Sequence, residues 1–140
     1  MATLPDVQSR HPLKTPVLLL RLGSWEVERA EMEPGTFREG HGYRDGMSNQ
    51  ELVDATRAWW VLRPDRLDRD GINYAVAVHQ GITRAVVTIG DLFQRSDERW
   101  AFSATLLTNG RVFDEWVGPR GRSIDFARGA QNPVAYWTPS

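Results

Sequence analysis

The chain has 140 residues, 41% hydrophobic and 25% charged, with 12 Gly, 8 Pro, no Cys and a formal net charge of −1. A chain this long buries roughly two-thirds of its unfolded surface as one domain without disulfides or a structural metal, and the lack of cysteine excludes thiolate zinc sites, iron–sulfur clusters and cysteine nucleophiles. The longest apolar runs, Ala58–Leu62 and Tyr74–Val78, fall far short of the ~18–20 residues of a membrane span, and the N-terminus lacks a signal-peptide layout. The expected compartment is therefore the cytoplasm, with no membrane partner.

Residues 1–16, with Pro5, Pro12 and Pro16, read as an irregular lead-in. Val17–Leu22 reads as a buried strand. Ser24–Ala30 alternates, with Trp25 and Val27 against Glu26 and Glu28, which suits a half-buried strand. Glu33–Met47 contains Pro34 and four glycines and reads as a linker, expected to be the most mobile segment. Ser48-Asn49-Gln50-Glu51 is a capping box, and Leu52, Val53, Thr56 and Trp59 or Trp60 follow at helical spacing, so a helix is expected over about 49–59. Pro64 disfavours continuation past Arg63, leaving Arg63–Asp70 as a polar turn or a single helical turn.

The second half reads as sheet. Asn73–His79 and Ile82–Ile89 form a hairpin around Gln80-Gly81. Trp100–Leu107 and Arg111–Trp116, joined by Thr108-Asn109-Gly110, carry the strongest hairpin signal in the chain. Gly118–Gly121 reads as a turn, Ser123–Arg128 as a single helical turn, and Val134–Trp137 as a closing strand. Leu52, Val53, Val76, Val78, Val86, Ile89, Phe102 and Val112 are expected to include most of the core. Five to seven short strands with one main helix predict an α+β fold built on a small, partly closed barrel. The division expected is 1–47, N-terminal strands and linker, and 48–140, the barrel, within one compact unit.

Little in this sequence carries catalysis. His11, His41 and His79 lie 30 or more residues apart, so no metal site is expected. There is no nucleophile elbow, phosphate-cradling loop or dinucleotide fingerprint, and no cofactor is implied. The carboxylate pairs Asp97-Glu98 and Asp114-Glu115 sit where neighbouring side chains diverge. The basic residues are distinctive: 16 of 17 are Arg, Lys14 being the exception, and residues 57–140 carry 11 basic against 9 acidic side chains. Arginine stacks on rings and grips phosphate bidentately, and six Trp supply stacking surface. Two constellations follow. Arg57 and Arg63 bracket Trp59 and Trp60, which would diverge by about 100° on a continuing helix, one entering the core and the other a cleft. Trp60 is the ring expected to face the ligand. Arg120, Arg122 and Arg128 are followed by Gln131 and Asn132, whose amides can pair with a base edge.

Read together, Ser48–Trp60 (SNQELVDATRAWW), Tyr74–Val87 (YAVAVHQGITRAVV), Arg99–Ser103 (RWAFS) and Arg128–Tyr136 (RGAQNPVAY) resemble a domain found alone or beside GIY-YIG and other nucleases in bacteria, of the PUA-like superfamily with its EVE and ASCH domains. The resemblance covers about residues 48–137, in order, and departs from the family pattern at Ala58, where glycine is usual. It implies a mixed β pseudo-barrel with one main helix and short helical turns. It also implies recognition of DNA or RNA through a base, often a modified one, held in an aromatic pocket. Trp59 or Trp60 would form the wall, and Arg57 and Arg128 would meet the backbone.

Three functions compete. The leading one is a non-catalytic nucleic-acid reader, with Arg57, Trp59, Trp60, Arg63, Arg128, Gln131 and Asn132 as its contact residues; with a net charge near zero, affinity must come from a local patch rather than the whole surface. A second is an accessory module of a nuclease or defence system that binds a protein or small ligand. A third is an ASCH-type nucleoside amidohydrolase, which the resemblance would build from Lys14, Thr15 and Glu26 or Glu28.

Overall fold

A computed structural model describes the backbone of residues 6–8 and all of residues 13–126 and 131–139. Its organising element is β2 (Val17–Arg21), whose run Val-Leu-Leu-Leu is buried on both faces. It lies between β5 (Tyr74–His79), to which it runs parallel, and β11 (Val134–Trp137), to which it runs antiparallel. From β5 the sheet continues antiparallel through β6 (Ile82–Thr88), β10 (Ser123–Asp125) and β1 (Asp6–Gln8), and β9 (Leu106–Leu107) also pairs with β6. The order β1-β10-β6-β5-β2-β11 does not close on itself among the described residues, so the architecture is a mixed α+β sheet with an open ladder where a partly closed barrel was expected.

Strand alternation divides the core between the two faces. Leu18, Leu20, Ala75, Val87 and Tyr136 pack on one side with Leu67 and Ile72. That side also takes α1 (Asn49–Arg57) through Val53 and Ala55 and α2 (Pro64–Asp70) through Leu67. Val17, Leu19, Val76, Val78 and Val86 pack on the other side against Val112 and Trp116 of α3 (Arg111–Trp116). Two ribbons lie off the main sheet: β3 (Glu26–Glu31) with β4 (Phe37–His41), and β7 (Leu92–Gln94) with β8 (Trp100–Phe102). Of the expected core residues, Val76, Val78, Val86, Phe102 and Val112 are buried, while Leu52, Val53 and Ile89 pack against the core from partly exposed positions.

Several local expectations are corrected. Residues 111–116 form a helix: Val112, Glu115 and Trp116 are all buried, at helical spacing i, i+3 and i+4. Six residues satisfy either periodicity, and burial of the Trp116 ring beneath the sheet decides between them. Gly110, expected in a hairpin turn, instead precedes that helix at φ 94°. Ser123–Asp125 is a strand, paired with β1 from the lead-in, a partner that local sequence does not announce. The segment 63–70, expected as a polar turn or one helical turn, holds a seven-residue helix, begun by Pro64 and ended by Gly71 in the left-handed region. Val27 is 83% exposed: among the described residues β3 pairs only with β4, in a ribbon off the main sheet. The glycine-rich segment contains β4: a Cβ on Gly40 would lie 2.5 Å from the Trp25 ring, so this glycine permits a close approach.

The capping box of α1 is formed: Ser48 Oγ accepts from the Glu51 amide at 3.1 Å, and Glu51 accepts from the Ser48 amide at 3.1 Å. Ser48→Ala should cost about 1 kcal/mol in urea unfolding. The backbone hydrogen bond from Ser48 holds the Glu51 carboxyl below its ordinary value, so its stabilising contribution is present above the unfolded carboxylate range and lost as pH falls through the folded value. The melting-temperature gap between the natural protein and Glu51→Gln should therefore shrink on acidification.

Candidate nucleic-acid interface

The helix α1 stops at Arg57, and Ala58 is extended at φ −160°, ψ 158°. Trp59 and Trp60 therefore leave a helix end on extended backbone, not on a continuing helix. Trp59 is buried with Met32, Ala58 and Ala101. The edge of Phe93 meets its ring at 5.7 Å, and the Arg95 guanidinium stacks on it at 4.7 Å. Trp60 is half-buried against the cluster of Leu22, Ala55, Ala77 and Ala85, and its indole N–H donates to the Thr56 carbonyl at 2.8 Å. The two rings do part, but Trp59 is core and Trp60 is held inward by its own N–H.

Arginines surround this segment as internal fasteners. Arg57 is buried; its Nε donates to Asp54 at 3.0 Å and its Nη1 and Nη2 to the two oxygens of Glu33 at 2.9 and 3.0 Å. Burial alone would lower its pKa, but the hydrogen bonds to Glu33 and Asp54 carry it above the ordinary value. Its planar fork is thus occupied within the fold, where phosphate contact was expected. Arg38 of β4 donates to the carbonyls of Asp54 (3.1 Å) and Ala58 (2.7 Å), answering acceptors left open at the C-terminus of α1. Burial, together with the charge of Arg95, pulls the Arg38 pKa down. Hydrogen bonds from Arg95 hold the exposed Asp97 carboxyl down at about 2. Arg63 donates its amide to Tyr136 Oη at 2.9 Å, while its exposed side chain lies 3.9 Å from Asp65.

The other predicted cluster is divided: Gln131 lines a cleft at one end of the sheet, while Arg122 is directed to the carbonyls of Asp114 and Glu115. β2 and β5 are parallel and end together, and the connections at that end enclose about 320 Å³. Its polar and aromatic walls are Arg21 at the end of β2, Gln80 in the β5–β6 turn, Phe126 after β10, and Gln131 before β11. Arg21 stacks over Phe126 at 4.5 Å. Nearby, His79 Nδ1 meets the Leu22 carbonyl at 2.9 Å, Tyr43 packs on His79 at 5.0 Å, and Arg84 stacks on Tyr43 at 4.8 Å. Ligands of open sheets collect at the carboxyl ends of parallel strands, and this cleft has that position. Asn132 accepts from the Val134 amide at 3.0 Å and so shapes the entry into β11. Arg128 lies outside the described residues.

Sequence reasoning singled out Gln131 but not Arg21, Gln80 or Phe126. Gln80-Gly81 was legible as a turn, with Gln80 at φ 52° and Gly81 at φ 74°; what brings that turn against Phe126 and Gln131 is strand order. Of the amidohydrolase set, Glu26 and Glu28 flank His41 at 3.2 and 3.4 Å on the β3–β4 ribbon. The carboxylate that meets Thr15 is Glu115. No helix among the described residues is long and apolar enough to cross a membrane. No protein-family model, curated protein or solved structure matches this chain.

Trp59→Ala should cost on the order of 3–5 kcal/mol of stability, as for emptying an aromatic core site, and Trp60→Ala clearly less. Arg57→Ala, which leaves Asp54 and a partly exposed Glu33 without their partner, should cost about 1–3 kcal/mol. Chemical denaturation of the three variants checks the order; a Trp60 variant less stable than the Trp59 variant would contradict it.

Proposed function

We propose that the protein is a nucleic-acid-binding module of PUA-like kind that takes an unpaired or flipped base, in DNA or RNA, into the cleft of Arg21, Gln80, Phe126 and Gln131. The observation that carries this reading is the composition of that cleft: one ring, one stacked guanidinium and two side-chain amides around a volume of about 320 Å³. A base offers a flat face and a hydrogen-bonding edge. Phe126 and Arg21 are suited to the face, and Gln80 and Gln131 to the edge, where an exocyclic modification would be read. Arg84 supplies a nearby cation for the backbone. The resemblance of Arg128–Tyr136 and Tyr74–Val87 to PUA-like domains supports the same reading, since Gln131 and Gln80 come from those two segments. That resemblance also makes a nuclease the expected class of protein partner.

Fluorescence anisotropy with labelled single- and double-stranded DNA and RNA, plain and base-modified, tests the proposal. Phe126→Ala should weaken binding by about 1–3 kcal/mol, the usual contribution of one stacked base. Gln131→Ala should change the order of preference among bases, and Arg84→Ala should lower the salt slope by about one phosphate contact. Absence of binding to every oligonucleotide at low salt, or binding indifferent to Phe126→Ala, would sink it.

A further inference from the structure

A larger cleft lies beside α3, and it shares no lining residue with the one just described. It encloses about 750 Å³ between Lys14, α3 and the turn carrying Gly118 and Pro119. Its construction starts with Glu115. This carboxylate is buried, yet one oxygen accepts from the Lys14 and Thr15 amides at 3.2 and 2.9 Å and the other from Thr15 Oγ1 and Arg111 Nη1, both at 3.1 Å. Four donors fill the accepting capacity of a carboxylate. Glu115 is therefore not a group that receives a ligand; it pins the lead-in to α3 and brings Lys14 and Arg111 to one wall.

Three cations face this cleft and keep donors in hand. Lys14 is exposed and forms no ion pair among the described residues. Arg111, with its side chain 71% exposed, uses only Nη1, on Thr15 and Glu115. Arg122 directs Nε and Nη2 to the main-chain carbonyls of Glu115 and Asp114 at 3.3 and 2.6 Å, so no carboxylate among the described residues neutralises it. Gly118 makes room for that guanidinium, since a Cβ there would sit 3.1 Å from Arg122 Nη2. Two carboxylates oppose them, Asp114 and the Glu115 that pairs with Arg111, so the lining carries a single positive charge in excess. The wall thus presents the Lys14 ammonium, the Arg122 guanidinium and the remaining donors of an Arg111 paired with Glu115, groups that can hold one phosphate. The volume exceeds what a bare anion needs and falls in the range of small-molecule sites. Pro119, the two glycines of the rim and the methylene stems of Lys14 and Arg111 leave apolar surface for an organic body.

We propose that this cleft is a second, independent site for a phosphate-bearing small molecule of about nucleotide size, held at its phosphate by Lys14, Arg111 and Arg122. Calorimetric titration of the full chain with nucleoside monophosphates, the parent nucleosides, inorganic phosphate and a short oligonucleotide tests it. Monophosphates should bind, and Lys14→Gln should weaken them by about tenfold, the loss of one charge-assisted contact. This variant is the main test because Glu115 uses the backbone amide of Lys14, so the fold keeps its bonds. Arg111→Gln should weaken binding at least as much, with its melting curve recorded alongside, and Phe126→Ala should leave monophosphate affinity unchanged. The proposal is overturned if no monophosphate binds at millimolar concentration, or if Lys14→Gln leaves affinity unchanged. It is equally overturned if nucleosides or inorganic phosphate bind as tightly as the monophosphates, or if only the oligonucleotide competes for Lys14.

Discussion

Burial of Val17–Leu20 on both faces of the sheet is the constraint from which the other layers take their places. Alternate residues of this strand point to opposite cores, Leu18 and Leu20 to the α1–α2 side and Val17 and Leu19 to the α3 side. Burying each leucine contributes roughly 1.5–3 kcal/mol relative to leaving it exposed, and only a strand with neighbours on both edges and cover on both faces buries all four. The parallel partner β5 and the antiparallel partner β11 meet the first need, and the helices meet the second. A consequence falls at the far end of the pair: two parallel strands stop together, and their connections leave a cleft there that a hairpin would have closed with its own turn.

Arginine occupies two kinds of place in this chain. Arg57 and Arg38 have their guanidiniums directed to carboxylates and carbonyls that hold α1, the β3–β4 ribbon and β8 together. Arg66 stacks on Tyr136 at 4.4 Å and Arg95 on Trp59, so these cations screen apolar rings from water. By contrast, Arg111 and Arg122 rim the larger cleft with donors remaining, and Arg21 lies flat on Phe126 in the smaller one. The rich supply of rings and guanidiniums in the composition therefore serves packing first. Arg21, Arg111 and Arg122 are the arginines that line the two clefts.

The two clefts are built differently, which is why they suit different chemistry. The smaller has amides and a ring, groups that discriminate by shape and by hydrogen-bond pattern. The larger has three cations against two carboxylates, one of them paired with Arg111, an excess of one positive charge that suits an anion. Both use the segments that stand outside the central strands: the lead-in around Lys14 and Thr15, the turn at Gln80, and the approach to β11 at Gln131. The central strands beneath them are buried, and both clefts open where connections meet.

What the sequence determined by itself is the set of features whose cause is local. The α1 capping box, the β5–β6 hairpin at Gln80-Gly81, the buried strand read at 17–22 and found at 17–21, and the closing strand at 134–137 all arise from periodicity and turn chemistry within a few residues. Where six residues fit two periodicities, as at 111–116, or where a strand's partner lies far off in the chain, as with β10 and β1, tertiary structure decided. Pairing energy and ring burial come from residues about a hundred positions away, and no local window contains them. The same holds for the sites. Gln131 stood out because its amide adjoins a distinctive motif. Arg21, Phe126 and the Thr15–Glu115 contact became meaningful only when β-strand order and the docking of α3 brought distant groups within a few ångströms, since a cleft is a property of surfaces that meet, not of the chain that runs beneath them.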